Sequence, residues 1–281
     1  RTEVEELLGR GYREIVLLGQ NVNSYRGVRA DGREADFSEL LSELAGIPHR
    51  YRLRFMTSHP KDFSEKLVRT MAACPNIPKC IHLPVQSGSS EILRRMNRRY
   101  SREDYIEKIA MLREAIPGCA VTTDLMVGFP GETEEDFEET VRLVQEIGFS
   151  GAFTFVYSRR SGTRAAEFPD QVPEEIKKSR IVRLVELQNS INAERAKAYA
   201  GAVCEVLCEG LADDGVRYFG RTEEGKLVLF GGTDADVGQF LKIRIAEAGA
   251  TALLGEKIDT KEKNDGPFAD DAALSADKGK I

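Results

Sequence analysis

Five clusters of polar and glycine residues each follow a short apolar run, and their side chains are the ones that could do chemistry. They occupy residues 19–21, 57–59, 86–89, 128–132 and 158–163. Amides, hydroxyls, an imidazole and bare backbone can hold a nucleotide-sized polar ligand. No nucleophile elbow, Walker loop or dinucleotide fingerprint accompanies them. The sequence therefore predicts ligand binding, and the alternative is that each cluster is an ordinary strand-to-helix turn.

The fourth cluster has the clearest local pattern. Residues 121–127 are mostly apolar, which predicts a parallel strand that is buried on both faces. Gly128, Pro130 and Gly131 then predict a tight turn, because glycine adopts positive φ freely and proline fixes its own φ. Thr133 has the spacing of an N-cap to Asp136, which predicts a helix start. Such a turn would bring bare backbone close to a ligand beyond the strand end.

The apolar runs recur at intervals of about 30–40 residues with helical patterns between them. Residues 14–18, 51–55, 79–83, 121–127 and 152–156 are the predicted strands. Repeated strand, loop and helix units form a parallel sheet, in which every strand ends on the same edge. The five polar clusters should therefore lie together on one rim, where such folds keep their sites.

The helical segments show several start signals. Helices are predicted over residues 2–10 and 37–45, from a cap at Asp62 to Ala73, and after Ser101, where Asp104 has the capping-box spacing. Pro173 is expected to open a long helix whose basic N-terminal half we interpret as a solvated face. Because a parallel fold rarely starts on an isolated helix, we expect one or more strands upstream of residue 1.

The pattern changes after Ala200. Short β-like runs at residues 203–207, 218–221, 226–230 and 240–246 are separated by tight turns, which predicts a small antiparallel barrel of the oligonucleotide-binding type. Residues 259–281 are polar and are expected to be disordered. We therefore predict an α/β domain over residues 1–200, a small barrel over residues 201–258 and a tail over residues 259–281.

The composition is that of a soluble globular protein. The 281 residues are 41% hydrophobic and 31% charged, with a net charge of −6. We find no signal peptide and no apolar run near the roughly 20 residues that cross a bilayer, so no membrane partner is expected. Five cysteines without a disulfide pattern favour the reducing cytoplasm. The net charge gives no general indication of nucleic-acid binding.

The cysteines do not predict a metal site in this chain. Cys204 and Cys208 would share one face of a strand, where lone thiols are usually core residues. The other three cysteines have no partner at zinc or cluster spacing. Five arginines between residues 94 and 102 form a basic cluster, which could meet phosphates or a carboxylate or could be a solvated face.

Taken together, the strand-end clusters resemble the radical S-adenosylmethionine methylthiotransferases, in particular those that modify the isopentenylated adenosine beside the tRNA anticodon. The resemblance lies in residues 17–25, 54–60, 82–89, 96–100, 123–133, 155–163 and 169–173. Residues 220–222, 228–230 and 253–256 of the final barrel are similar to a TRAM domain. Together these stretches extend the resemblance from the start of the chain to about residue 258.

The resemblance implies a partial TIM-like (βα) barrel of parallel strands followed by the small TRAM, OB-like β-barrel. It also implies S-adenosylmethionine and 4Fe–4S clusters as cofactors, with reductive cleavage of S-adenosylmethionine and insertion of sulfur at C2 of adenine. The family's three-cysteine cluster loop and its N-terminal domain are not present in these 281 residues. We therefore expect this chain to be an inactive fragment of an enzyme, with its metal ligands elsewhere.

The resemblance also assigns cofactor-binding residues. Gly19, Gln20 and Asn21 take the position of the loop that contacts the methionyl amino group. The remaining expected contacts to the cofactor are Ser58, Gln86, Ser87, Gly88, Arg98, Asp124, Gly128 and Phe129. Of these, Arg98 is the candidate partner of the methionyl carboxylate, and Gln86, Ser87 and Gly88 could hold ribose or carboxylate.

The expected partners are tRNA and an electron donor such as a flavodoxin or ferredoxin. Candidate RNA contacts are His59, Arg159, Arg160, Arg221 and Arg244. Residues 201–258 contain six basic and ten acidic residues, a net of −4, so binding would rest on local basic patches. The alternatives are the same chemistry on a threonylcarbamoyladenosine tRNA or a ribosomal-protein aspartate, and a non-catalytic RNA-binding module.

Overall fold

The computed structural model describes residues 1–29, 31–56, 59–249 and 251–258. The predicted tail at residues 259–281 and the candidate Ser58 lie outside the described residues. The helices are α1 (Thr2–Gly9), α2 (Phe37–Ala45), α3 (Glu65–Ala73), α4 (Ser90–Arg95), α5 (Arg102–Ala115), α6 (Glu134–Ile147), α7 (Arg164–Glu167) and α8 (Glu174–Lys197).

The strands of the first 200 residues are those that the apolar runs predict, together with one small hairpin. They are β1 (Glu14–Leu17), β2 (Arg26–Val28), β3 (Glu34–Asp36), β4 (Arg52–Phe55), β5 (Cys80–His82), β6 (Ala120–Val127) and β7 (Gly151–Val156). β1 pairs in parallel with β4, and β5, β6 and β7 form a second parallel sheet. The antiparallel β2–β3 hairpin is not among the predicted strands.

The alternation of side chains gives the sheets one covered and one open face. Ile15, Leu53 and Val121 belong to a single core cluster that also contains residues of α2, α3, α5 and α6. Their neighbours in sequence point the other way, and Val16 and Phe153 on that inner face are 39% and 57% exposed. The helices therefore cover the outside of a partial barrel, and part of its inner face is exposed.

Two of the predicted helix starts are confirmed and one is wrong. Ser101 and Asp104, and likewise Thr133 and Asp136, form reciprocal capping boxes. Asp62 does not cap α3, because the hydroxyl of Ser64 accepts the hydrogen bond from the backbone of Leu67. Asp62 instead accepts hydrogen bonds from residues of the first polar cluster, as described below.

The basic half of α8 is not the solvated face that its composition indicates. Lys177 and Arg180 are 4% and 4% exposed. The Arg180 guanidinium lies 2.7 Å from the Glu132 carboxylate, and Lys177 Nζ donates to the carbonyl of Tyr157. Of the basic residues in this half, Lys178 and Arg183 lie at the surface. This half of α8 therefore holds the loops that follow β6 and β7.

The last domain is a closed barrel with strand order β10–β12–β11–β8–β9. Its strands are β8 (Val203–Leu211), β9 (Tyr218–Thr222), β10 (Leu227–Phe230), β11 (Phe240–Ala248) and β12 (Leu253–Lys257). β10 and β12 run in parallel, so the barrel is not purely antiparallel as the short runs predict. Cys208 is buried in its core and Cys204 packs against it, as expected for lone thiols.

The small barrel is fixed to the first domain through two arginines of β4. Arg52 donates to the backbone carbonyls of Arg221 at 2.8 Å and Glu205 at 3.1 Å. Arg54 donates to the carbonyl of Glu223 at 2.8 Å and also pairs with Glu14. Because β4 begins at Arg52, the turn after β9 lies at the N-terminal ends of the parallel strands. It therefore closes the side opposite the polar rim.

Candidate functional site

The described residues of the polar clusters follow the C-terminal ends of the parallel strands, and contacts join several of the segments that carry them. Asn23, two residues beyond the first cluster, exchanges two hydrogen bonds with His59 of the second cluster, at 3.0 and 3.1 Å. The third and fourth are joined because Gln86 forms a parallel bridge with Leu125. The fourth and fifth are joined by the edge-to-face contact of Phe129 and Tyr157, whose ring centroids are 5.3 Å apart.

In the first cluster, Gly19 and Gln20 are exposed and Asn21 is partly buried. The Asn21 side-chain nitrogen donates to Asp62 at 3.0 Å, and the Ser24 hydroxyl donates to the same carboxylate oxygen. Burial alone would raise the pKa of Asp62, but these two donors outweigh it and lower the pKa. The side-chain oxygen Oδ1 of Asn21 is buried and has no hydrogen-bond partner among the described residues.

His59 and Arg98, which the sequence assigns to different ligands, lie in contact. The Nδ1 atom of His59 accepts a hydrogen bond from the backbone of Lys61, so the neutral ring carries its proton on Nε2. Nε2 lies 3.3 Å from the Arg98 guanidinium. Burial and the nearby Arg98 charge both lower the pKa of His59. Two donors therefore lie side by side, and an anion next to both could accept a hydrogen bond from each.

In the third cluster, Gln86 is buried and has an unusual backbone conformation. It is a non-glycine residue with φ of 73°, a conformation that is uncommon and concentrates at functional sites. The hydroxyl of Ser87 is fully buried, 3.4 Å from the hydroxyl of Thr140 in α6. Gly88 also packs against α6, and its backbone nitrogen donates to Thr140. Ser87 and Gly88 thus hold the loop against a helix.

In the fourth cluster, the turn is packed against α8. Gly128 has φ of 73°, and its backbone nitrogen donates to the Glu132 carboxylate at 2.9 Å. A Cβ atom at this position would lie 2.3 Å from Cγ of Lys177. Phe129 is buried and its ring contacts Tyr157 and Phe168. This cluster therefore contributes rigid backbone rather than free side chains to the rim.

Asp124 lies on the inner face of the partial barrel. Its carboxylate is 3.5 Å from Nε2 of His82, and Nδ1 of His82 is 3.0 Å from the Thr122 hydroxyl. The His82 ring also meets Phe153 edge-to-face at 5.8 Å. Asp124 thus belongs with His82 beneath the rim.

Comparison with known proteins identifies the first domain. A family model described as the Radical SAM superfamily matches residues 1–144, half of the chain. This chain belongs to the radical SAM superfamily. A second model, described as the TRAM domain, matches residues 197–258, which contain the closed barrel.

Curated relatives cover both domains. The chain is 49% identical over 261 residues to a protein of Clostridium botulinum (strain Langeland) named tRNA-2-methylthio-N(6)-dimethylallyladenosine synthase, covering 91% of this chain and 57% of the relative. It is 46% identical over 262 residues to a protein of the same name from Thermoanaerobacter sp. (strain X514), covering 92% and 54%. The chain thus spans little more than half the length of the relatives it matches.

One solved structure with a similar chain path is coproporphyrinogen III oxidase of Escherichia coli, described as a radical SAM enzyme. It aligns with a TM-score of 0.46 and 14% identity, covering 79% of this chain and 55% of that one. In the part of this radical SAM chain that the structure describes, no helix is both long and apolar enough to cross a membrane.

The residues described here do not fit a 4Fe–4S cluster. All five cysteines are unpaired, and the cluster would need three thiolates close together. No group of three histidine, cysteine or acidic side chains that could hold a metal occurs within the described ranges. Burial raises the pKa of the Cys80 and Cys119 thiols, which opposes the thiolate form that binds iron.

The rim does fit S-adenosylmethionine. The unpartnered side-chain oxygen Oδ1 of Asn21 is an acceptor that suits an ammonium group, and the adjacent donors of His59 and Arg98 suit a carboxylate. Both charged groups occur on the methionyl part of S-adenosylmethionine. Asn21 belongs to the first cluster, His59 belongs to the second, and Arg98 follows α4.

The candidate RNA contacts are spread over two regions. Arg159 and Arg160 are exposed in the loop after β7, at the rim. Arg244 is exposed on β11 of the TRAM domain. Arg221 lies 3.3 Å from Glu209, and its carbonyl receives the hydrogen bond from Arg52, which places it beside the contact between the domains.

Three residues of the site were not selected from the sequence. Asn23 and Asp62 organise the first two clusters, and His82 pairs with Asp124. Asn23 and Asp62 are polar residues just beyond strand ends, which is the signal that could have found them. His82 lies within a strand, and its partner could be found only from the register of β5 and β6.

Proposed function

We propose that the protein containing this chain adds a methylthio group at C2 of N6-dimethylallyladenosine in tRNA, using radical S-adenosylmethionine chemistry. The observation that carries this proposal is the 49% identity that continues through both the radical SAM and the TRAM domain of a relative with that name. An expected cytoplasmic location and an electron donor such as a flavodoxin or ferredoxin are part of the same proposal.

The first task of this chain is to bind and orient S-adenosylmethionine. When bound, that cofactor supplies the radical chemistry and the methyl group. Asn21 would accept from the methionyl ammonium group, and Arg98 with Nε2 of His59 would donate to the carboxylate. Asp62 holds the Asn21 side chain by a hydrogen bond, and Asn23 holds the backbone of His59. Preorganised donors and acceptors of this kind bind without the cost of being ordered first.

The second task is to position the RNA. Arg52 and Arg54 bond the TRAM domain directly to the first domain, which supports a defined position of its surface relative to the rim. Arg159 and Arg160 at the rim and Arg244 on the TRAM domain are exposed cations that could meet phosphates. This arrangement supports RNA that reaches from the small barrel to the open inner face.

Mass spectrometry of tRNA nucleosides tests the proposal. A strain from which the gene is deleted should lose the 2-methylthio derivative of N6-dimethylallyladenosine and accumulate the unthiolated nucleoside. The complete gene should restore the product, and a copy with Arg98→Gln should restore little of it. Unchanged nucleosides in the deletion strain would refute the proposed function, and loss of a threonylcarbamoyl derivative instead would reassign the substrate.

A further inference from the structure

A cavity of about 150 Å³ opens into the gap between β4 and β5, the two strands that are not joined by a ladder of hydrogen bonds. We call it the gap cavity. Its apolar lining includes Leu53, Phe55, Met56, Ile77 and Ile81. None of the residues assigned to S-adenosylmethionine above belongs to this lining.

The polar residues that line the gap cavity are already paired with other groups. Arg54 is bonded to Glu14 and to the TRAM backbone, the Thr122 hydroxyl is bonded to His82, and Glu224 accepts from the hydroxyl of Tyr199. A charged group entering the cavity would lose its hydration without gaining a free partner there. The cavity therefore suits an uncharged, apolar group.

The volume limits how large that group can be. An apolar cavity of about 150 Å³ in another protein binds benzene, which has six carbons. A branched group of five carbons is close to that size. A longer polar chain, such as a threonylcarbamoyl group with its carboxylate and hydroxyl, would have to leave those polar atoms against Leu53 and Phe55.

An aromatic surface adjoins the gap cavity on the inner face. Phe153 and Phe155 on β7 are 57% and 48% exposed, although large apolar side chains on a sheet are usually covered. His82 joins the two features, because it lines the cavity and its ring contacts Phe153. Exposed aromatic rings of this kind stack on nucleic-acid bases.

We infer that the gap cavity is the specificity pocket for the dimethylallyl substituent, with the adenine ring of the same nucleotide lying against Phe153. This inference rests on the proposed function and adds which part of the chain recognises the five-carbon group. The substituent and the base are directly bonded, as the cavity and the aromatic surface are directly adjacent. Burial of the five-carbon group would then supply the preference for dimethylallyladenosine over adenosine.

Fluorescence anisotropy with three short anticodon stem-loops tests this inference without requiring turnover. The stem-loops carry adenosine, N6-dimethylallyladenosine or N6-threonylcarbamoyladenosine beside the anticodon. The purified protein should bind the dimethylallyl stem-loop about tenfold or more tightly than the other two. Met56→Trp, which fills the cavity from a half-exposed strand end, should reduce this preference to within twofold. Val182→Trp, a matched change on the exposed face of α8, should leave it intact.

Phe153→Ala provides a second variant, because it removes a ring that is more than half exposed. It should weaken binding of all three stem-loops by about tenfold through lost stacking. Equal affinity for the adenosine and dimethylallyl stem-loops in the unaltered protein would overturn the pocket while leaving the proposed function standing. A preference that survives in Met56→Trp would also overturn it. Failure to bind any stem-loop would overturn both the pocket and the proposed function.

Discussion

Arg180 of α8 and Glu132 of the turn after β6 form an ion pair at 2.7 Å in which the side chains are only 5% and 1% exposed. The Glu132 carboxylate also accepts a hydrogen bond from the backbone of Gly128. A helix about 50 residues further along the chain thus fixes the conformation of a loop on the cofactor rim. The conformation of the loop therefore depends on a buried ion pair, and either charge without its partner would destabilise the protein.

Arg180→Met should therefore destabilise the protein strongly. Removing one member of a buried pair leaves the other charge without compensation, and the expected loss is about 3–5 kcal/mol in the free energy of unfolding. Urea denaturation followed by circular dichroism measures it. Arg183→Met is the matched control, because Arg183 pairs with Glu134 and Glu138 at the surface and should cost less than about 1 kcal/mol. Equal losses for the two variants would contradict the role given to Arg180.

The third polar cluster offers a steric test. A Cβ atom on Gly88 would lie 2.5 Å from Cα of Thr140 and 2.6 Å from the carbonyl oxygen of Glu139, so α6 would have to move. Gly88→Ala should lower the free energy of unfolding by about 1–3 kcal/mol, as overpacking does. Gly9→Ala is the same chemical change at a helical position with no atom within 4 Å, and it should be neutral or stabilising.

Denaturation of both alanine variants measures the difference. If Gly88→Ala lowered the free energy of unfolding no more than Gly9→Ala does, α6 could shift to accommodate the added methyl group without loss of stability. The loop's contact with α6 would then not be what holds the third cluster in place.

Much of the fold could be predicted because it follows from local patterns. The parallel strands, the capping boxes at Ser101 and Thr133 and the small second barrel all have signals within a few residues. The burial of Arg180 could not be predicted, because a basic helix face shows the same pattern whether it meets water or a carboxylate. Asp62 was misassigned because Ser64, two residues later, competes for the same cap.

The candidate site was predictable in position but not in detail. Five strand ends on one edge follow from the parallel topology, and the contacts between Asn23 and His59 and between Gln86 and Leu125 agree with it. Which side chains point outward depends on packing. Ser87 has a hydroxyl suited to ribose, yet that hydroxyl is buried against the Thr140 hydroxyl of α6.

The pair of His59 and Arg98 predicts a pH effect. The pKa of His59 lies below its ordinary value because burial and the Arg98 charge disfavour the protonated ring. The unfolded chain therefore binds a proton at His59 more readily than the folded one. As pH falls below about 6.5, this residue reduces stability, and its contribution is fully recovered above that pH.

Nuclear magnetic resonance titration of the His59 ring measures this shift, with His59→Gln to assign the signal. Arg98→Gln should raise the His59 pKa towards its ordinary value, and Arg94→Gln, which removes an exposed arginine paired with Glu91, should not. A ligand carboxylate that binds next to both the Arg98 guanidinium and Nε2 of His59 should also raise the His59 pKa. An unaltered His59 pKa in Arg98→Gln would remove the electrostatic part of the argument.

The acidic balance of the TRAM domain makes the salt dependence of RNA binding informative. Residues 201–258 carry a net charge of −4, so phosphate contacts depend on a few exposed arginines. Affinity for tRNA should fall steeply with salt, because each phosphate contact releases counterions. Arg159→Ala combined with Arg160→Ala should weaken binding and reduce the slope of log affinity against log salt by up to about 2.

Arg69→Ala combined with Arg94→Ala is the matched control, because those exposed arginines are held by Glu65 and Glu91. A flat response to salt, or the same slope in both double variants, would show that the loop after β7 does not meet the RNA backbone.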